Sequence, residues 1–330
     1  MSNTNNATTV PYVVEDCRGV LLVYSDGSIV RKSQPVADIV VDDDGSVVWK
    51  DVLFDPIHKL HLRLYKPSSS STNTKLPIYY YIHGGGFCLG YRNLLKFHNY
   101  CLRLSSELQA VIISIDYRLA PENRLPAAIE DGFSSVTWLQ AQAVSGNPDP
   151  WLTADLVDFR RVFICGDSAG GTIVHHMAVR LGAGSFGMEP VQIRGYILLN
   201  PFFGGTVRTR SEAEGPTKTY LHLEYIDMYW RLSLPVGGTR DHQLANPFGR
   251  DSPNLESVAL DPILVVVGDH DLLKDRITDY AKRLKEMGKV IQFVEFEGQE
   301  HAFITRNPDS AVANKLMQII KDFIAKYNSV

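Results

Sequence analysis

Three side chains far apart in the sequence have the types and order needed for acyl transfer: Ser168, Asp271 and His301. Ser168 stands in Gly166-Asp167-Ser168-Ala169-Gly170, after the apolar run Arg161-Val162-Phe163-Ile164-Cys165 and before a helix-like segment over 172–181. Strand, sharp turn and helix together present a hydroxyl on a strained backbone, and the helix N-terminus favours negative charge close by. Such a turn needs small neighbours, which Gly166 and Gly170 supply. A serine hydroxyl is a weak nucleophile until a base takes its proton. His301 is that base, in the loop 297–303 after the apolar stretch Phe293-Val294-Glu295-Phe296. The loop 268–275, after Val265-Val266-Val267, offers Asp269, Asp271 and Asp275; Asp271 is assigned to hold the imidazole and steady the imidazolium.

A second motif supports the same chemistry. His83-Gly84-Gly85-Gly86-Phe87 follows Ile78-Tyr79-Tyr80-Tyr81-Ile82, and a glycine loop can turn backbone N–H groups toward a carbonyl oxygen. No Gly-Lys-Ser/Thr follows it and no G-x-G-x-x-G opens a helix, which argues against nucleotide binding. His83 reads as a hydrogen-bonding residue under the loop. His175 and His176 are adjacent on a helix, so they read as structural. Asp269-His270-Asp271 has no matching ligand set elsewhere, and neither a metal nor any cofactor is expected.

The pattern around these residues is α/β. Eight strands are expected, at Val47–Phe54, Leu60–Tyr65, Ile78–Ile82, Val111–Ile115, Val162–Cys165, Gly195–Leu199, Ile263–Val267 and Ile291–Phe296. Leu60-His61-Leu62-Arg63-Leu64 alternates, as a half-buried strand near an edge does. The later strands are continuous apolar runs, as parallel strands covered on both faces should be. Ile277, Tyr280, Ala281 and Leu284 form one helical stripe; Leu316, Ile319, Ile320, Phe323 and Tyr327 form another. Ser68–Thr74 reads as a solvated turn.

Composition bounds the class. The 330 residues carry a formal net charge of −4, 45% hydrophobic and 21% charged side chains. There is no basic patch for nucleic acid and no apolar run for a membrane span. The N-terminus lacks the apolar core of a signal peptide, so a cytoplasmic location is expected, with nuclear entry left open. Cys17, Cys88, Cys101 and Cys165 have no scaffold-like spacing and read as free thiols. A monomer or weak homodimer is expected.

His83–Phe87, Asp116-Tyr117-Arg118-Leu119-Ala120-Pro121-Glu122, Gly166–Gly170 and the loops 268–275 and 298–303 occur in order. Together they resemble the plant carboxylesterases, on the hormone-sensitive-lipase branch of the α/β-hydrolases, in a fold shared with gibberellin receptors. The chain looks most similar to the strigolactone-cleaving carboxylesterase subgroup. Glu15-Asp16-Cys17-Arg18-Gly19 and Asp26–Arg31 resemble that family's N-terminal segment. The resemblance implies an α/β-hydrolase fold: an eight-stranded, mostly parallel sheet with helices on both faces and a cap over the active site. It implies an oxyanion hole from the N–H groups of Gly84, Gly85, Gly86 and Ala169. The family places its acid four residues before a second acidic residue, which Asp271 and Asp275 match and Asp269 does not. The chain departs from the family at Thr172, where many relatives carry Asn, and at Ala302, where they carry Gly.

A single domain over 1–330 is expected, with cap contributions from about 1–40 and 202–260. The second segment is rich in aromatics: Phe202, Phe203, Tyr220, Tyr225, Tyr229 and Trp230. Phe87, Phe203, Trp230 and Ala302 are the expected pocket residues. The sequence pattern suggests no charged cluster near these segments, which points to a fairly apolar small-molecule substrate. The expected function is that of a serine carboxylesterase cleaving esters or lactones of small plant metabolites through an acyl-enzyme, for example an alkaloid methyl ester or a strigolactone. A lyase, cyclase or dehydratase of specialised metabolism is the alternative. A hormone receptor fits less well, because gibberellin receptors of this fold have lost the histidine and His301 is present.

Overall fold

The computed structural model describes residues 10–32, 43–69, 74–184 and 187–328. The polar stretch 1–9, part of the first expected cap segment (33–40) and the middle of the Ser68–Thr74 turn (70–73) lie outside the described residues. The chain divides into two compact units, Met1–Asp38 and Ile39–Val330.

The first unit carries β1 (Val13–Cys17), β2 (Leu21–Tyr24) and β3 (Ile29–Arg31), paired antiparallel in that order. Arg18 and Gly19 link β1 to β2 with φ of 58° and 68°. Two left-handed residues match the twist of a hairpin, and Gly19 N–H is held by Asp16 Oδ1 at 2.6 Å. Burial pushes the Cys17 thiol up to about 12, helped by Glu15 and Asp16.

In the second unit the strands are β4 (Val47–Asp55), β5 (Leu60–Pro67), β6 (Leu76–Ile82), β7 (Val111–Ile115), β8 (Val157–Asp167), β9 (Ile193–Leu199), β10 (Ile263–Gly268) and β11 (Ile291–Phe296). Its helices are α1 (Leu95–Leu108), α2 (Ala127–Val144), α3 (Ala169–Gly182), α4 (Arg210–Glu214), α5 (Leu223–Ser233), α6 (Lys274–Glu286), α7 (Phe303–Arg306) and α8 (Ala311–Tyr327). The strands form one eight-stranded sheet in the order β11-β10-β9-β8-β6-β7-β5-β4. Every pairing from β11 to β7 is parallel; β5 runs antiparallel to both β7 and β4.

The two-residue period of β6 divides its tyrosines between the faces of the sheet. Tyr79 and Tyr81 join a core with Phe97, Tyr100 and Leu104 of α1 and with Leu316, Ile320 and Phe323 of α8. On the opposite face, the Tyr80 hydroxyl donates to Ser135 O of α2 at 2.9 Å. The α6 stripe Ile277, Tyr280, Ala281 and Leu284 is buried, and all four cysteines are buried thiols outside any disulfide. No helix among the described residues is long and apolar enough to cross a membrane.

Two expectations change in detail. β5 lies next to an edge strand, but its polar Arg63 is buried. Its guanidinium pairs with its cross-strand partner Asp51 at 2.8 Å and lies over the Trp49 ring at 4.0 Å, which satisfies the charge away from water. The segment 202–260 also proves rich in charge. Arg208 and Arg240 share Asp227, and Arg276 of α6 pairs with Glu212 of α4 at 2.7 Å. Each of these arginines is held in an ion pair, although Arg208 and Arg240 have only the one carboxylate between them.

Arg276 also donates to Gly204 O, Gly205 O and Val207 O at 3.1, 3.1 and 2.8 Å, tying this segment to α6. The carboxylate of Glu212 is almost wholly buried, so removing its partner leaves an uncompensated ion. Arg276→Met should therefore destabilise the protein by about 3 kcal/mol or more. Urea unfolding checks this, and Arg276→Met combined with Glu212→Leu should regain much of the loss.

Candidate active site

Ser168 sits between the end of β8 and the start of α3, with φ 55° and ψ −116°. Only tight neighbours hold a serine in that strained region. Its N–H donates to Leu199 O at 2.8 Å, and its carbonyl accepts from Phe202 N at 3.0 Å and Thr172 N at 3.2 Å. The expected need for small neighbours is met: a Cβ at Gly166 would fall 2.2 Å from Gly170 O, and one at Gly170 would fall 2.0 Å from Ile82 O.

Three loops bring the remaining groups to this turn. His301 follows β11, and its Nε2 lies 2.8 Å from Ser168 Oγ. Its Nδ1 lies 2.7 Å from Asp271 Oδ2, in the loop after β10. All three side chains are buried. Since a carboxylate accepts only, Nδ1 carries the proton and Nε2 is free to accept from the serine. Asp271 Oδ1 accepts from Leu273 N at 3.0 Å, and Oδ2 also accepts from Asn200 Nδ2 at 2.8 Å. Nothing in the sequence singles out Asn200, because a lone Asn after a strand looks like any turn residue. Asp275 accepts from Ser211 N at 2.7 Å and ties α4 to α6.

The glycine loop packs against the same turn. A Cβ at Gly84 would approach Asp167 O to 2.9 Å and Ser168 Cβ to 3.0 Å. Gly85 has φ 132°, and a Cβ there would meet Leu89 O at 1.9 Å. Gly85 O accepts from Cys88 N and Leu89 N, whereas the N–H groups of Gly84, Gly85 and Gly86 donate to no protein acceptor among the described residues. Ala169 opens α3, so its N–H has no partner within the helix. His83 lies under the loop as expected: it stacks on Tyr117 at 4.3 Å, and its Nδ1 donates to Gly84 O at 2.8 Å. Burial lowers its pKa to about 4, so the ring is neutral at physiological pH.

The expected pocket residues separate. Phe87 and Trp230 cluster with Phe202, the Trp230 ring stacking on Phe202 at 4.7 Å. Trp230 also lines a cavity of about 280 Å³ with Thr206, Asp227 and Arg240. Phe203 packs on Tyr280 at 4.7 Å and lines another cavity of about 280 Å³ with Phe248 and Tyr280. Ala302 adjoins His301 at φ 58°, a left-handed backbone that suits the Gly of the resembling family. His175 and His176 are structural in their contacts: Nδ1 of the first lies 3.0 Å from the Tyr280 hydroxyl, and Nε2 of the second donates to Leu244 O at 3.2 Å. The group Asp55, His58 and Asp131 has metal-like spacing, but Arg118 occupies it, 2.7 Å from Asp131 and 3.2 Å from His58.

Asp167 is buried beside Ser168, and its Oδ1 has no partner among the described residues. Burial pushes its pKa up to about 6, with Asp271 adding to the rise and His301 and Lys96 opposing it. The folded state thus holds the proton more tightly than the unfolded chain, whose carboxyl titrates near 3.8. Stability is lost as pH rises from about 4 to about 6 and stays lost above that; the shift corresponds to about 3 kcal/mol. Asp167→Asn should raise the melting temperature at pH 7.5 and change it little at pH 4.5, as thermal scans at the two values would read.

The chain is similar to known proteins. Residues 79–305 match the family described by the alpha/beta hydrolase fold. Carboxylesterase 20 of Arabidopsis thaliana is 35% identical, covering 91% of this chain and 93% of that relative. A 3-O-acetylpapaveroxine carboxylesterase of Papaver somniferum is 36% identical, covering 83% of this chain and 87% of that relative. The hyperthermophilic esterase of Pyrobaculum calidifontis superposes with a TM-score of 0.71 at 26% identity, covering 86% of this chain and 87% of that one. The chain belongs to the alpha/beta hydrolase family, on its plant carboxylesterase branch, and is a carboxylic ester hydrolase acting on small-molecule esters.

Proposed function

We propose that Ser168, His301 and Asp271 carry the hydrolysis. The observation behind this reading is the unbroken chain from Ser168 Oγ to His301 Nε2 at 2.8 Å and from His301 Nδ1 to Asp271 Oδ2 at 2.7 Å. Ser168 Oγ attacks the acyl carbon as its proton passes to His301 Nε2. The carbonyl oxygen becomes an oxyanion facing N–H groups of Gly84, Gly85, Gly86 and Ala169. When the tetrahedral intermediate collapses, the alcohol leaves with the proton from His301 and an acyl-Ser168 remains. Water then repeats the sequence, giving its proton to His301 and releasing the acid. Asp271 stays ionised and holds the imidazole.

The substrate is a small metabolite carrying an ester or lactone. The aromatic content of 202–260, whose named arginines are each tied up in ion pairs, supports a fairly apolar substrate. One relative is named for an O-acetylated substrate, which makes a short acyl group on a bulky alcohol the first class to test.

A fluorophosphonate probe should label Ser168 in the wild type and fail to label Ser168→Ala. Folded wild-type protein that takes no label would overturn the assignment. A metabolite screen that consumed no ester or lactone but formed a dehydration product would move the activity to the lyase class.

The acid has its own test. Asp271→Asn should lower kcat on p-nitrophenyl butyrate by roughly 10⁴-fold, through loss of the correct tautomer. Asp269→Asn should stay within about tenfold of wild type. Greater damage at Asp269 would reassign the acid by two residues.

A further inference from the structure

Asn200 is wholly buried at the end of β9, and its Nδ2 lies 2.8 Å from Asp271 Oδ2. That oxygen is the one facing His301 Nδ1 at 2.7 Å. We propose that Asn200 is a positioning residue of the esterase, which fixes the plane of the Asp271 carboxylate and through it the His301 ring. This rests on the reading of Asp271 as the triad acid.

Four observations carry it. First, the carboxylate is held at both oxygens: Oδ1 accepts from Leu273 N at 3.0 Å, and Oδ2 from the Asn200 amide and the imidazole together. Without the amide, Oδ2 would keep only the imidazole, and the pair could tilt as a unit. Second, the amide is not a cross-link to anything else, for Asn200 Oδ1 has no partner among the described residues. Its orientation is settled by chemistry, since the amide oxygen toward a carboxylate would be repelled. Third, donor and acceptor ride on adjacent parallel strands. Leu199 pairs with Val266, and Asn200 N donates to Val266 O at 2.8 Å, so the register of β9 on β10 sets the amide against the loop that bears Asp271. Fourth, the donor is neutral. A lysine or arginine here would hold the carboxylate equally well but would oppose the imidazolium that forms during reaction; an amide orients the carboxylate and leaves its charge to His301.

The backbone of Asn200 is left-handed, φ 44°, which Asn, Asp and Gly tolerate best. Asn200→Gly and Asn200→Asp are therefore the informative variants. Each is assayed on p-nitrophenyl butyrate, with active sites counted by fluorophosphonate labelling. Asn200→Gly should lower kcat per labelled site about tenfold or more, as loss of a hydrogen bond to a charged group does, with KM within about twofold. In an Asp271→Ala background the same change should cost less than about twofold, because the group it acts through is gone. Asn200→Asp should lose more activity as pH rises, since a protonated carboxyl can donate to Asp271 and an ionised one cannot.

A loss equally large in the Asp271→Ala background would overturn the proposal. So would a drop in labelled fraction or melting temperature with kcat per site intact in both variants, which would make Asn200 structural. If the wild type itself takes no label and turns over no ester, the triad reading fails; an active wild type with unaffected variants sinks the Asn200 assignment alone.

Discussion

Ser168 can hold its strained backbone only because no side chain competes for the space around it, and the rest of the site depends on that turn. Strain of this kind costs on the order of 1–3 kcal/mol and persists where the surroundings over-determine it. Here the surroundings are backbone. Carbonyls of Ile82 and Gly170 lie where a Cβ at Gly170 or Gly166 would have to go. β6 and β8 are parallel neighbours with Ile82 opposite Gly166, so they end at the same level. The glycine loop leaving β6 therefore meets the elbow leaving β8 without any long-range adjustment.

The same logic extends across the sheet. Leu199 of β9 pairs with Asp167 of β8 and with Val266 of β10, and Gly268 of β10 pairs with Phe296 of β11. Four neighbouring strands thus run to nearly one line, and the loops beyond it carry Ser168, Asn200, Asp271 and His301. Ligand sites in parallel sheets lie outside the carboxyl ends of the strands for this reason. What the sheet supplies is alignment. Burial then strengthens each polar contact by lowering the dielectric around it. Asp167 shows the cost of the same burial, for it lies among these groups with one oxygen unpartnered.

The strands of the second unit were legible because continuous apolar runs and flanking glycines are local signals. The three residues proposed to carry the reaction stand out in the sequence because they sit in loops with unusual composition. Three things were not legible. The strands β1 to β3 are only 5, 4 and 3 residues long, too short for periodicity to register. Arg63 sits at a polar position of an alternating strand, and only its cross-strand partner Asp51 explains its burial. Asn200 gains its place from the register between two strands whose paired residues, such as Leu199 and Val266, are 67 apart in sequence, which no local pattern encodes.

The segment 202–260 shows why chemistry was easier to read than selectivity. Its aromatics suggest a pocket wall, yet Phe203 and Trp230 are buried in different places, against Tyr280 and against Phe202. Aromatic side chains bury large apolar areas wherever they fall, so composition alone does not separate a wall from a core. Its charges misled in the opposite direction: scattered in sequence, Arg208, Asp227 and Arg240 gather into one network, and Arg276 joins Glu212 from α6. Arg276 binds three backbone carbonyls as well, so polar ties to α6 help hold this segment in place. Ties of that kind specify backbone position while leaving side chains elsewhere in the segment free to vary. A site whose proposed reacting groups are fixed by sheet register, next to a segment fixed in part by backbone-directed arginine contacts, can change what it accepts without disturbing how it reacts.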